Sequence, residues 1–186
     1  MAATASNLIA LGTTAPAFSL PDAVTGKDIA LEAIRGEKAT VVLFICNHCP
    51  FVKHVNQQLV AVANDYHSRG VGFVAINAND ADAYPDDSPE RMAEVAVALD
   101  YPFPYLHDAS QDVARAYDAV CTPDLFVYDG AMKLAYRGQL DDARPRNDEP
   151  VDGHDLRAAL DALIAGRSVP AEQTPSVGCG IKWRVG

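Results

Sequence analysis

The run Thr40-Val-Val-Leu-Phe-Ile45 carries no charge and passes directly into Cys46-Asn-His-Cys49-Pro50. An unbroken stretch of β-branched and aromatic residues fits a strand covered on both faces. Beyond Pro50, residues Val52, Val55, Leu59, Val62 and Tyr66 recur at intervals of three and four, the apolar stripe of a helix. Gly70 follows at a C′ position, and Val71 to Ile76 is a second apolar strand. Strand, CxxC, helix and strand in that order restrict the chain to an α/β fold built around a redox motif.

The flanking pattern extends that frame. Phe18 to Leu20, ended by Pro21, and Asp28 to Leu31 read as short strands joined at Thr25-Gly26. Asn77 to Asp87 is polar and acidic, and its run Asp80 to Asp87 reads as a solvated loop. Ser88-Pro89-Glu90 starts a helix, with Ser at the N-cap and Pro at N1, and Met92, Val95 and Leu99 give it an inner face. Tyr105-Leu106 is a short strand, and Val113, Ala116 and Tyr117 mark a short helix. Leu125 to Tyr128 and Lys133 to Arg137 form a hairpin over Asp129-Gly130. Leu156, Leu160, Leu163 and Ile164 line a last helix. The expected fold class is α/β, a central mixed sheet with helices on both faces and an N-terminal β-hairpin extension. One domain is expected over residues 1–186, with a loose arm over 1–15 and a Pro/Gly-bearing tail over 166–186. Trp183, the one tryptophan, is expected to anchor that tail.

A net charge of −10 argues against nucleic acid and anionic membrane as partners. Met1 to Ala10 has neither a basic n-region nor a long apolar run, so the expected location is cytoplasmic. Four cysteines are too few for a disulfide scaffold. In a reducing compartment a CxxC means catalysis or metal binding. A zinc ion usually takes four ligands. Here His48 and His54 lie close by, Cys121 and Cys179 lie far off, and no second CxxC or HxxxH exists. Neither a metal nor a cofactor is expected.

A cysteine at a helix start meets unsatisfied N–H groups and the positive end of the macrodipole, and both favour thiolate. A free thiol has a pKa of about 8.5, and CxxC thiols fall to roughly 3.5–7. Cys46, the N-terminal member, is expected to be the attacking thiolate, and Cys49 to resolve the mixed disulfide. His48 is expected to stabilise the Cys46 thiolate, the competing reading being a solvent-facing imidazole. Asn77, Asn79 and Asp80 follow a strand, at the sheet edge where α/β ligands bind, and are candidates for the rim of the site. An Asx-rich turn is the other reading.

Several segments then resemble one family. Ala15-Pro-Ala-Phe-Ser-Leu-Pro-Asp22, Cys46-Asn-His-Cys-Pro50, Asn77-Ala-Asn-Asp80, Cys121-Thr-Pro123 and Gly178-Cys-Gly-Ile-Lys-Trp183 resemble the thioredoxin superfamily, closest to its AhpC/TSA-type, peroxiredoxin-like branch. The resemblance implies a thioredoxin-like fold and a cis-proline facing the CxxC. Thr122-Pro123 matches that position, with a backbone that would pair with an extended substrate segment. Thioredoxins carry Trp before the CxxC and an acid in the preceding strand; here Ile45 stands first and Thr40 to Ile45 has no acid. Aligning Cys49 with the cysteine of the peroxiredoxin pattern Pro-x-x-x-Thr-x-x-Cys puts Cys46 at the Thr position and Val42 at the Pro position. Arg115 and Arg144 are the arginine candidates for the peroxidatic network.

The resemblance implies an oxidoreductase. The first reading is a thiol–disulfide oxidoreductase using Cys46 and Cys49 on a disulfide-bearing protein or small molecule, with a thiol or dithiol electron donor. The second is a thiol peroxidase of the alkyl hydroperoxide reductase/thiol-specific antioxidant type, with Cys49 or Cys46 peroxidatic. The third is a redox-sensing or metal-binding module without catalysis. Cys121 lies two residues before the expected cis-proline and Cys179 sits in an apolar tail between glycines, so the two are expected to pair near the redox site. Two unpaired buried thiols are the alternative.

Overall fold

The computed structural model describes residues 3–185; Met1, Ala2 and Gly186, the ends of the expected 1–186 domain, lie outside the described residues. In chain order the first elements are β1 (Ala3–Ala5), β2 (Ser19–Pro21), β3 (Asp28–Ala30), α1 (Leu31–Ile34), β4 (Ala39–Phe44), α2 (Pro50–His67) and β5 (Val71–Asn77). A 3-10 turn over Pro85–Asp87 leads into α3 (Pro89–Ala98) and β6 (Tyr105–His107). There follow α4 (Asp112–Ala116), β7 (Cys121–Thr122), β8 (Asp124–Asp129), β9 (Leu134–Tyr136), α5 (His154–Ile164) and β10 (Val177–Gly180).

The central sheet has five strands in the order β6-β5-β4-β8-β9. Strands β4, β5 and β6 are parallel, whereas β8 and β9 run antiparallel. Every residue of β4 is buried, so the strand shows no polar alternation. Val41, Leu43 and Ile45 face a core shared with Val52, Val55 and Leu59 of α2 and Leu156 and Leu160 of α5. Val42 and Phe44 face a second core with Phe18, Tyr117 and Phe126. Fully burying each stripe residue of α2 contributes about 1.5–3 kcal/mol, which is what fixes the helix, and hence its N-terminus, against the sheet. The N-terminal hairpin pairs β2 with β3 as expected. In α4 the inward residue is Ala114, and Ala116 is exposed. Among the described residues no helix is long and apolar enough to cross a membrane.

The arm expected to be loose contributes β1, and the tail expected to be anchored by Trp183 contributes β10. Strand β10 lies between β1 and β7 in a separate three-stranded sheet. Cys179 is paired with Ala3 on one side and Thr122 on the other. Gly178 permits this close approach, because a Cβ there would overlap the Thr122 carbonyl. Trp183 packs half-buried on the second core, with the Arg115 guanidinium 4.5 Å above its ring.

Candidate active site

The turn carrying both cysteines joins β4 to α2. Pro50 occupies the first helical turn and Cys49 is the N-cap. Cys46, expected at the helix start, lies ahead of that cap. Around the Cys49 sulfur stand, in order of weight, the Cys46 thiol, the Cys179 thiol and the N–H groups of Val52 and Cys179, all of which favour its thiolate. These donors outweigh burial and hold Cys49 well below the ordinary thiol range. Opposing them is the Thr122 carbonyl, 3.1 Å from Cys49 Sγ, which accepts from the sulfur when it is protonated. Cys46 is pushed the other way: it donates to Cys49, it is buried, and it faces Asp87. Its hydrogen-bond partner outside the pair is the Thr122 hydroxyl, 3.2 Å away.

Asp87 was missed by sequence reasoning, which left it in a solvated acidic run. The 3-10 turn at Pro85 carries it inward, and it is 0 % exposed. Asp87 Oδ1 accepts from the Asn47 N–H at 2.7 Å and from Asn77 Nδ2 at 3.2 Å. Asp87 Oδ2 accepts from Asn79 Nδ2 at 2.8 Å and lies 2.5 Å from His48 Nδ1. His48 therefore directs Nδ1 at a carboxylate and not at the Cys46 sulfur, and stacks on Tyr84 at 5.5 Å. His48 Nε2 is buried without a partner. One donor atom from each of Cys46, His48 and Asp87 lies within 4.8 Å of the others. Three donors fall short of the four that zinc usually takes, and both Asp87 oxygens already serve N–H groups. The imidazole and the carboxylate form a dyad beside Cys46, whose sulfur has its own hydrogen bond to the Thr122 hydroxyl. Tyr105, also missed, donates from its hydroxyl to Asn47 Oδ1 at 3.0 Å and accepts from Asn77 Nδ2 at 3.3 Å.

Asn77 and Asn79 thus hold the carboxylate beneath the turn. Asp80 does not reach the cysteines: its carboxylate lies 3.4 Å from Arg184 and its N–H donates to the Lys182 carbonyl, so it fastens the tail. The Thr122–Pro123 bond is cis. Its strand is not open to a substrate segment, because β10 already pairs with it.

The expected Cys121–Cys179 pair is corrected. Cys179 is opposite Thr122 and Cys121 is opposite Gly180, so their side chains leave the pleat on opposite faces. Cys179 packs in one apolar cluster with Cys46 and Cys49. Cys121 directs its thiol at the Pro123 carbonyl, 3.6 Å away, and all four cysteines are free thiols. Of the two arginine candidates, Arg115 is on Trp183, and Arg144 lines a cavity with Cys179.

Residues 11–137 match the model of the AhpC/TSA family. The chain belongs to the AhpC/TSA family. This AhpC/TSA protein is 58 % identical to an uncharacterized conserved protein from Geobacillus kaustophilus, covering 99 % of this chain and 97 % of that one with a TM-score of 0.97. A hypothetical protein from Sinorhizobium meliloti 1021 is 50 % identical over 98 % of this chain and 100 % of its own, with a TM-score of 0.96. The fold alone is shared with a peroxidoxin from Mycobacterium tuberculosis, 21 % identical over 85 % of this chain and 98 % of its own, TM-score 0.62. No curated protein matches the chain. The fold is thioredoxin-like, and the AhpC/TSA protein is a thiol oxidoreductase.

Proposed function

We propose that the protein is a thiol–disulfide oxidoreductase for small disulfides, with Cys49 as nucleophile and Cys46 as resolving thiol. The observation that carries this reading is the position of Cys49 at the N-cap of α2, where the unsatisfied N–H groups and the positive end of the helix favour a thiolate. A thiolate held there attacks one sulfur of a disulfide, and the other sulfur leaves as thiolate. Cys46 then gives its proton toward His48, whose imidazole is oriented by Asp87, and attacks the Cys49 sulfur. The Cys46–Cys49 disulfide forms and the second substrate thiol departs. Two protein thiols have become one disulfide, and one substrate disulfide has become two thiols. A small substrate is favoured because Cys46 is 2 % and Cys49 0 % exposed, and because the tail strand covers the edge where an extended peptide would pair. A thiol or dithiol donor completes the cycle.

The burial of the thiolate also favours a second reading, a thiol peroxidase, since hydrogen peroxide is small enough for a closed site. Turnover on cystine, on an insulin-type disulfide and on hydrogen peroxide, with Cys46→Ser and Cys49→Ser beside the wild type, separates them. Cystine reduction that needs both cysteines supports the first reading. Peroxide consumption that outpaces it and survives Cys46→Ser replaces it with the second.

A further inference from the structure

The edge of β7, the strand that ends at Thr122, is filled by the chain's own β10. The residue that β10 sets opposite Thr122 is a cysteine. Its side chain is buried in one cluster with Cys46 and Cys49, and the carbonyl of its strand partner Thr122 lies 3.1 Å from the Cys49 sulfur. Cys179 is thus a further thiol packed against the CxxC turn. On its other side a cavity of about 340 Å³ opens, walled by Pro50, Phe51, Arg144 and Arg146, with Cys179 in the wall. Neither Cys46 nor Cys49 lines that cavity. In a chain of net charge −10, two arginines at one opening set a local field that attracts anions.

We infer that Cys179 is a third redox thiol, which takes the disulfide over from Cys46 and presents it to a small anionic thiol in the arginine-walled cavity. The inference rests on the dithiol couple proposed above. In the first step Cys179 Sγ attacks Cys49 Sγ. The Cys46–Cys49 bond breaks, the Cys49–Cys179 bond forms, and the proton of Cys179 ends on Cys46; no electrons are gained or lost overall. In the second step a carboxylate-bearing thiol attacks Cys179 Sγ, releasing Cys49 as thiolate and leaving a mixed disulfide on Cys179. A second molecule of that thiol attacks the mixed disulfide. The small disulfide leaves, and Cys179 is again a thiol. Two external thiols are oxidised and one protein disulfide is reduced.

The test is oxidation of the reduced protein with oxidised glutathione, followed by peptide mapping without reduction. Wild type is expected to carry both Cys46–Cys49 and Cys49–Cys179 linkages. Cys46→Ser and the double variant Cys46→Ser/Cys121→Ser are expected to carry Cys49–Cys179. Cys49 trapped as a glutathione mixed disulfide in Cys46→Ser, with Cys179 still a thiol, overturns the inference. The Cys46–Cys49 peptide of wild type reports on the couple alone, so its absence sinks the proposed function and is distinguishable from a failure of Cys179. A kinetic arm starts from the preformed Cys46–Cys49 disulfide, in which Cys49 is not a thiolate. Cys179→Ala is expected to form the Cys46–Cys49 disulfide and to lose about tenfold or more in its rate of reduction by glutathione. Arg146→Gln is expected to remove the preference for glutathione over neutral 2-mercaptoethanol. An unchanged reduction rate in Cys179→Ala overturns the relay, and an unchanged preference in Arg146→Gln overturns the anionic thiol.

Discussion

His48 Nδ1 lies 2.5 Å from Asp87 Oδ2, and the carboxylate that orients the ring has no exposure to water. Three N–H donors from Asn47, Asn77 and Asn79 complete its shell. The carboxylate thereby fixes both the shape of the CxxC turn and the tautomer of the imidazole.

Asp87→Asn tests that relationship. The amide keeps the volume but turns one acceptor into a donor that faces other donors. Formation of the Cys46–Cys49 disulfide from the Cys49 mixed disulfide is expected to slow by about 10²-fold or more, the usual range for a lost acid–base partner. Stopped-flow measurement of that step is the check. An unchanged rate would remove His48 and Asp87 from the proton path.

Cys49 is expected to titrate near 5 in the reduced protein. Thiolate absorbance should rise with pH through that value, far below the free-thiol value of about 8.5. Cys49→Ser should abolish the rise. The sign for stability follows from the lowered value: Cys49 stabilises the reduced fold fully above the unfolded thiol value, and that contribution is lost as pH falls through the folded one. A single rise near the free-thiol value contradicts the N-cap assignment.

Gly178→Ala would place a methyl group against the Thr122 carbonyl. The strand must shift, at a cost of about 1–3 kcal/mol. Shifting it withdraws the Cys179 donors, so the Cys49 titration should move upward as the melting temperature falls. A lower melting temperature with an unmoved titration would separate the tail from the electrostatics of the site.

Arg137 is 1 % exposed, donates to Ser6 at 3.1 Å and the Asp118 carbonyl at 2.7 Å, and faces Asp124 at 3.4 Å. Arg137→Ala leaves Asp124 buried without its cation, a loss of about 3–5 kcal/mol in urea unfolding. Burial already pushes the Asp124 carboxyl upward. The penalty should therefore shrink toward low pH, where the orphaned carboxylate takes a proton. A penalty that does not change with pH would assign the loss to packing on Phe126, whose ring lies 4.4 Å beneath the guanidinium.

The frame of the fold is legible wherever burial imposes a pattern, a helical period or an unbroken apolar run. The β4 run, the α2 stripe and the β8–β9 hairpin all announce themselves that way, and Thr122-Pro123 marks its own position by its place before a strand. Strand β10, read Val-Gly-Cys-Gly, has no alternation to detect, because its partner is backbone and not a core face. Asp87 was hidden for a related reason: a carboxylate satisfied by four polar groups brought from two other segments leaves no local pattern. The N-cap position of Cys49 was readable. Proline favours the first helical position, so Pro50 already marked Cys49 as the cap.

Strand β10 also gives the fold a late closing step. The residues of β7 and β10 are far in sequence from the helix α2 that packs beside them. A folding intermediate that has docked α2 on the central sheet but not β10 on β7 exposes a strand edge that the finished fold covers. That edge, and not the central sheet, is where such an intermediate would pair with another chain.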